Sequence, residues 1–191
     1  MSIADIRRDY NLAGLRRADL DADPMAQFRR WFDQAAGARG GGQLRGAAIR
    51  IYKALLGLGS AERIDVNAAT VSTVDGEGRP SARVVLLKGV DERGFIFFTN
   101  YDSRKGREIA GNSNVAMVFY WPDQERQVCI AGAASRVPRA ESEAYFKSRP
   151  RGSRLAAWAS RQSEVIENRE VLEGRWRELQ ARYPGEDVPM P

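Results

Sequence analysis

The chain has 191 residues, 43% hydrophobic and 29% charged, with a formal net charge of +5, the balance of a globular domain long enough to bury a core. It holds no histidine and one cysteine, Cys129, which excludes an intrachain disulfide, Ser-His and Cys-His nucleophilic catalysis and the usual zinc ligand sets. No apolar run approaches the roughly 18 residues of a membrane span, and the opening MSIADIRRDY lacks the apolar core of a signal peptide, so the expectation is a cytoplasmic protein of one domain.

Residues 1–23 are polar and carry Arg7, Arg8, Arg16 and Arg17, the pattern of a flexible basic arm. Asp23-Pro24 predicts a helix start, with Asp as cap and Pro in the first turn. Phe28, Trp31 and Phe32, spaced i, i+3 and i+4, give that helix an apolar face for the core. Gly40-Gly41-Gly42 breaks the pattern. Leu44, Ala47, Ala48, Ile51, Leu55 and Leu58 then resume helical spacing, with Ile49, Tyr52 and Leu56 on a second side, so residues 40–63 read as a further helix.

From Ala68 the period becomes two. Ala68–Val74 reads as a strand, Asp75–Gly78 as a turn, Pro80–Lys88 as a strand, Asp91–Gly94 as a second turn and Phe95–Thr99 as the returning strand, an antiparallel meander. Arg83 and Lys88 stand five apart, which in a regular strand sends them to opposite faces. For both to serve one ligand, either a bulge intervenes or Lys88 acts from the strand end.

Ser103 predicts a helix cap ahead of Arg104 and Lys105. The free N–H groups of a helix start, its dipole and two cations suit an anion, a phosphate above all; the competing reading is a solvated charged face. Val115–Trp121 and the stretch from Glu125 to about Val137 read as strands. Gln127 lies in the second, where its amide can donate and accept at the edge of a ring or simply face water. Residues 139–159 read mostly as helix. Tyr145, Arg149 and Ser153 lie four apart, on one face if the helix is continuous, though Pro150 and Gly152 predict a break. Those three side chains suit a phosphate clamp or an ordinary helix surface. Leu172, Trp176, Leu179 and Tyr183 form a last helical stripe, read as core. The cations are dispersed, which leaves nucleic-acid binding the weakest reading.

Several of these stretches form one pattern: R-V-V-L-L-K at Arg83–Lys88, F-T-N-Y-D-S-R-K at Phe98–Lys105, E-R-Q-V at Glu125–Val128, A-Y-F-K-S-R-P-R-G-S at Ala144–Ser153 and W-A-S-R-Q-S at Trp158–Ser163. With Arg7, Arg8, Tyr10 and Gly14–Leu20, the chain from about Ile6 to Pro191 resembles the pyridoxamine 5'-phosphate oxidase family, with residues 40–63 as an insertion. The resemblance implies an α+β fold with a mainly β core, an FMN-binding split β-barrel with surrounding helices. An arm at 1–23 would precede a domain at 24–191, and the assembly would be a homodimer with FMN at the subunit interface. The implied activity is FMN-dependent oxidation of pyridoxamine 5'-phosphate or pyridoxine 5'-phosphate to pyridoxal 5'-phosphate, with oxygen reduced to hydrogen peroxide.

Carried over residue by residue, Arg83, Val84, Val85, Leu86, Leu87, Lys88, Phe98, Thr99, Ser103, Arg104, Lys105, Gln127, Gln162 and Ser163 would bind FMN. Arg7, Tyr10, Lys88, Tyr145, Arg149 and Ser153 would bind the substrate. The resemblance assigns no single catalytic acid or base, no metal, and no nucleic-acid or membrane partner. The alternative is a non-catalytic protein of the same fold that holds FMN or pyridoxal phosphate. The family pattern continues past a V-P-x-P point with a Trp-Gly-Gly motif, an Arg-x-His pair and a further Arg. This sequence reaches Val188-Pro189-Met190-Pro191 and carries none of them, so the expectation is an open sheet edge and a pocket with fewer cationic and aromatic walls.

Overall fold

A computed structural model describes residues 2–5, 9, 14–40 and 65–191. Arg7, Tyr10 and residues 41–63 of the expected inserted helix lie outside the described residues. Five strands, β1 (Ala68–Val74), β2 (Pro80–Asp91), β3 (Gly94–Phe97), β4 (Asn114–Trp121) and β5 (Arg126–Ala133), form one sheet in the order β3-β2-β1-β4-β5. Five described helices accompany them: α1 (Pro24–Gly40), α2 (Arg104–Gly111), α3 (Arg139–Ser148), α4 (Arg151–Ala159) and α5 (Arg169–Arg182). The class is therefore α+β, as the family resemblance implies, and the antiparallel β1–β2–β3 run is the meander that the period of two predicts.

The chain divides into two compact units. The first comprises Met1–Val71, Arg83–Phe97 and Met117–Ile130, the second Ser72–Ala82, Phe98–Ala116 and Ala131–Pro191. In the first, Asp23 caps α1 by accepting from the Met25 N–H at 2.9 Å. The helix lays Phe28 onto the sheet, where its ring meets Phe95 edge-on at 4.7 Å and lies 5.1 Å from Phe119 and 5.8 Å from Trp121. Val71, Val85, Leu87 and Met117 complete that core. Trp121 keeps its indole N–H satisfied by donating to the Val66 carbonyl at 2.9 Å, the condition for burying a Trp cheaply.

Acidic residues set both hairpin turns. Asp75 Oδ1 accepts from the N–H groups of Glu77 and Arg79, and Gly78 takes the left-handed φ of 80° that the turn requires. At the second turn Asp91 Oδ1 accepts from the Arg93 N–H and Gly94 has φ 126°. The β2–β3 pairing is antiparallel, with a register shift between Leu87 and Gly89. Of the two alternatives for Arg83 and Lys88, the strand shows an irregularity, but it falls at Lys88 itself, so the alternation from Arg83 to Leu87 stays regular.

Three expectations shift in the second unit. β5 ends at Ala133 rather than near Val137: the Ala134 N–H still bonds Ser113 O at 2.8 Å, and Pro138, which has no N–H to give a ladder, then leads into α3. The helical stretch breaks at Arg149-Pro150 alone, with Arg149 extended at φ −74°, ψ 146° as a residue before proline must be; Gly152 stays inside α4. The α5 stripe is half-buried and holds no fully buried residue. Its Trp176 ring lies 3.7 Å from where a Gly152 Cβ would stand, so α5 packs on α4 at ordinary contact distance.

Candidate functional site

The expected ligand residues fall into two groups, one in each unit. In the first unit they line β2 and β5. The alternation of β2 turns Arg83, Val85 and Leu87 toward the core side and Val84, Leu86 and Lys88 outward. Val85 and Leu87 side chains belong to the core, and both backbone groups of Leu87 are taken by Asn67, through Leu87 N–H to Asn67 O and Asn67 Nδ2 to Leu87 O. Arg83 donates from Nη1 to the Val71 carbonyl at 3.4 Å. The outward face is apolar and open to solvent: Val84 is 65% exposed, Tyr120 of β4 49%, and Leu86 is also exposed. On β5, exposed Gln127 donates to Cys129 Sγ at 3.1 Å.

In the second unit the structure gathers residues far apart in sequence. Ser103 caps α2 by accepting from the Gly106 N–H and donates to the Asn100 carbonyl at 2.6 Å. Gly106 is required there, because a Cβ would lie 2.2 Å from Tyr101 O. The cap turns the Lys105 side chain inward, leaving it 6% exposed. Its ammonium donates to Gln162 Oε1 at 3.0 Å and Thr99 Oγ1 at 3.2 Å, with Ser103 Oγ at 3.5 Å. Thr99 in turn donates to Gln162 Oε1 at 3.2 Å. With its carbonyl oxygen used twice, the Gln162 amide presents its NH2 donors outward. Ser163 next to it holds φ 70°, a strained conformation for a residue with a Cβ and one that clusters at functional sites.

The expected substrate residues flank the junction of α3 and α4. Tyr145 lies on α3, Arg149 at its C-cap and Ser153 in the first turn of α4. Tyr145 stacks face to face on Phe98, and the Arg149 guanidinium lies 5.7 Å from the Phe146 ring centroid. No side chain caps α4, so its first N–H groups are without a side-chain acceptor, as an anion site at a helix start requires. Sequence reasoning passed over Glu108, a buried acid whose carboxylate holds Arg104 Nε at 2.7 Å; its spacing of four from Arg104 was the only signal. Among the described residues, no group of three or more His, Cys, Asp or Glu converges as a metal site requires, and no helix is long and apolar enough to cross a membrane.

The donor set therefore fits phosphate-bearing ligands: cations and helix N–H groups at α2 and at α4, and an outward amide at Gln162. The family model described as pyridoxamine 5'-phosphate oxidase matches residues 61–183. A protein named pyridoxine/pyridoxamine 5'-phosphate oxidase from Prochlorococcus marinus (strain MIT 9303) is 48% identical over 189 residues, covering 99% of this chain and 74% of the relative. One named pyridoxine/pyridoxamine 5'-phosphate oxidase 1, from Ralstonia nicotianae, is 50% identical over 190 residues, covering 100% of this chain and 78% of the relative. The crystal structure of PhzG from Burkholderia lata 383, in complex with tetrahydrophenazine-1-carboxylic acid, matches with a TM-score of 0.73 at 28% identity, over 91% of this chain and 74% of that one. The fold is that of the split β-barrels.

Proposed function

The chain belongs to the pyridoxamine 5'-phosphate oxidase family, and from that premise we propose that it is a cytoplasmic FMN-dependent oxidase. It converts pyridoxamine 5'-phosphate or pyridoxine 5'-phosphate to pyridoxal 5'-phosphate and passes the electrons to oxygen, which leaves as hydrogen peroxide; with the amine substrate, water hydrolyses the imine first formed and the nitrogen leaves as ammonia. The observation that carries the reading is the Thr99–Lys105–Gln162 network, which holds a buried cation and an oriented amide beside the α2 N-terminus. A buried ammonium costs stability unless it is well solvated by protein groups, and a phosphate monoester is the partner that this arrangement suits.

The chemistry that FMN supplies when bound is acceptance of a hydride from the C4' carbon of the substrate. The chain's own residues bind and orient. Lys105, Arg104 and the first N–H groups of α2 hold the FMN phosphate. Gln162 offers N–H donors to the polar edge of the ring. Tyr145, Arg149, Ser153 and the α4 N-terminus hold the substrate phosphate. No side chain need act as nucleophile, in keeping with a chain without histidine. Exposed Val84 and Leu86 on β2 and Tyr120 on β4 are apolar surface that a second copy of the chain would cover, and assembly as a homodimer is part of this proposal.

The test is an anaerobic spectrum. The purified chain is loaded with FMN, freed of unbound flavin and mixed with pyridoxine 5'-phosphate without oxygen. Bleaching of the visible band, restored by air, is the expected result. A retained flavin that does not bleach would assign the chain to the non-catalytic binders, and failure to retain flavin would remove the cofactor assignment.

A further inference from the structure

Glu108 lies one helical turn beyond Arg104 on α2 and is 7% exposed. A buried carboxylate needs several partners, and this one has them. Oε2 accepts from Ser81 Oγ at 2.7 Å and from Thr73 Oγ1, which fixes the carboxylate plane to β2 and β1. Oε1 accepts from Arg104 Nε at 2.7 Å. The other Arg-to-Glu pairs at this spacing, Arg139–Glu143 and Arg169–Glu173, are solvent-exposed on both sides and act as ordinary surface pairs. In the Arg104–Glu108 pair the acid is buried while the guanidinium stays 55% exposed. Helix stability does not account for it, because Arg preceding Glu is the weaker order of an i,i+4 pair. What the arrangement achieves is geometric: Nε is pinned, which sets the guanidinium plane, and Arg104 lines an open cavity of about 460 Å³ together with Asp75, Arg79, Arg107 and Glu108.

We propose that Glu108 is a positioning residue for the flavin phosphate. It acts through Arg104, and it contributes to recognition of the phosphate rather than of the ring. This role rests on the FMN reading, and the experiment separates the two. FMN and riboflavin, which differ by the phosphate, are titrated by fluorescence quenching into the chain freed of flavin. Wild type, Glu108→Gln, Arg104→Ala and the double variant are compared.

Wild type is expected to prefer FMN. Glu108→Gln weakens FMN by about tenfold, the scale of one charge-assisted hydrogen bond, and leaves riboflavin unchanged. In the Arg104→Ala background the same substitution has no further effect on FMN, because the two residues act as one unit. Equal weakening of both flavins, or additive effects of the two substitutions, overturns the positioning role while leaving the FMN reading intact. A wild type that does not distinguish FMN from riboflavin removes the phosphate reading itself, and this role with it. Should Glu108→Gln not fold, Ser81→Ala carries the test: an FMN-selective loss supports the role, and no loss or an equal loss overturns it.

Discussion

Phe98 and Tyr145 stack face to face, with ring centroids 3.9 Å apart and planes 6° from parallel. The contact joins the residue that follows β3 to the middle of α3, and it fixes the ring that carries the Tyr145 hydroxyl. An aromatic pair of this kind is worth about 0.5–1.5 kcal/mol beyond its buried area. Phe98→Ala is therefore expected to raise KM for pyridoxine 5'-phosphate by about two- to tenfold. Phe98→Tyr, which retains a stacking ring, should stay close to wild type. Steady-state kinetics check this, and an unchanged KM in Phe98→Ala would show that the stack does not orient Tyr145.

Arg149 terminates α3 and precedes the uncapped start of α4. Its guanidinium rests near the Phe146 ring, so the group is placed without an acid to neutralise it in any described ion pair. Arg149→Ala should weaken substrate binding by about 10- to 100-fold, the range for a hydrogen bond to a charged group, with flavin content unchanged. The ratio of flavin to protein absorbance and a substrate titration together decide the matter. Apoprotein from this variant would place Arg149 with the cofactor instead.

Much of the fold was legible because its signals are local. Asp75 and Asp91 announce their turns, and each does accept the N–H groups of the next few residues. The alternation of β2 is visible as Val85 and Leu87 buried against Val84 and Leu86 exposed. Arg83 and Lys88, five apart, do face opposite sides of β2, as a regular strand dictates, and the register shift comes only at Lys88. The site was legible only as residue types. Lys105 and Gln162 are 57 positions apart, Thr99 and Gln162 63, and no periodicity reports a hydrogen bond of that reach. Glu108 was hidden for the same reason. Its pairing with Arg104 is local, but its burial depends on Thr73 and Ser81, 35 and 27 positions away.

The first turn also makes a pH prediction. The backbone N–H and the guanidinium of Arg79 hold the Asp75 carboxyl below the ordinary aspartate value. A depressed folded-state value means stability that is fully present above the unfolded value of about 3.9 and is lost as pH falls through the lower folded value. Asp75→Asn should thus be less stable than wild type at neutral pH, and the gap should close below about pH 4. Urea midpoints measured between pH 2 and 7 test it. A gap that does not change with pH would assign the loss to turn geometry rather than charge.

Lys105 sets function against stability. Its ammonium is buried and hydrogen-bonded to Thr99, Gln162 and Ser103, and on the proposed reading it also holds the flavin phosphate. Replacing a buried ion by an apolar side chain of similar volume is often neutral or stabilising, whereas losing a charged contact to phosphate costs about 1.5–3 kcal/mol. Lys105→Met is therefore expected to melt no lower than wild type in the absence of flavin, while its affinity for FMN falls by about 10- to 100-fold. Thermal melts of the flavin-free proteins and FMN titrations give the two numbers. A variant that melts well below wild type would show Lys105 to be structural, its hydrogen bonds to Thr99 and Gln162 stabilising the unit more than its burial costs.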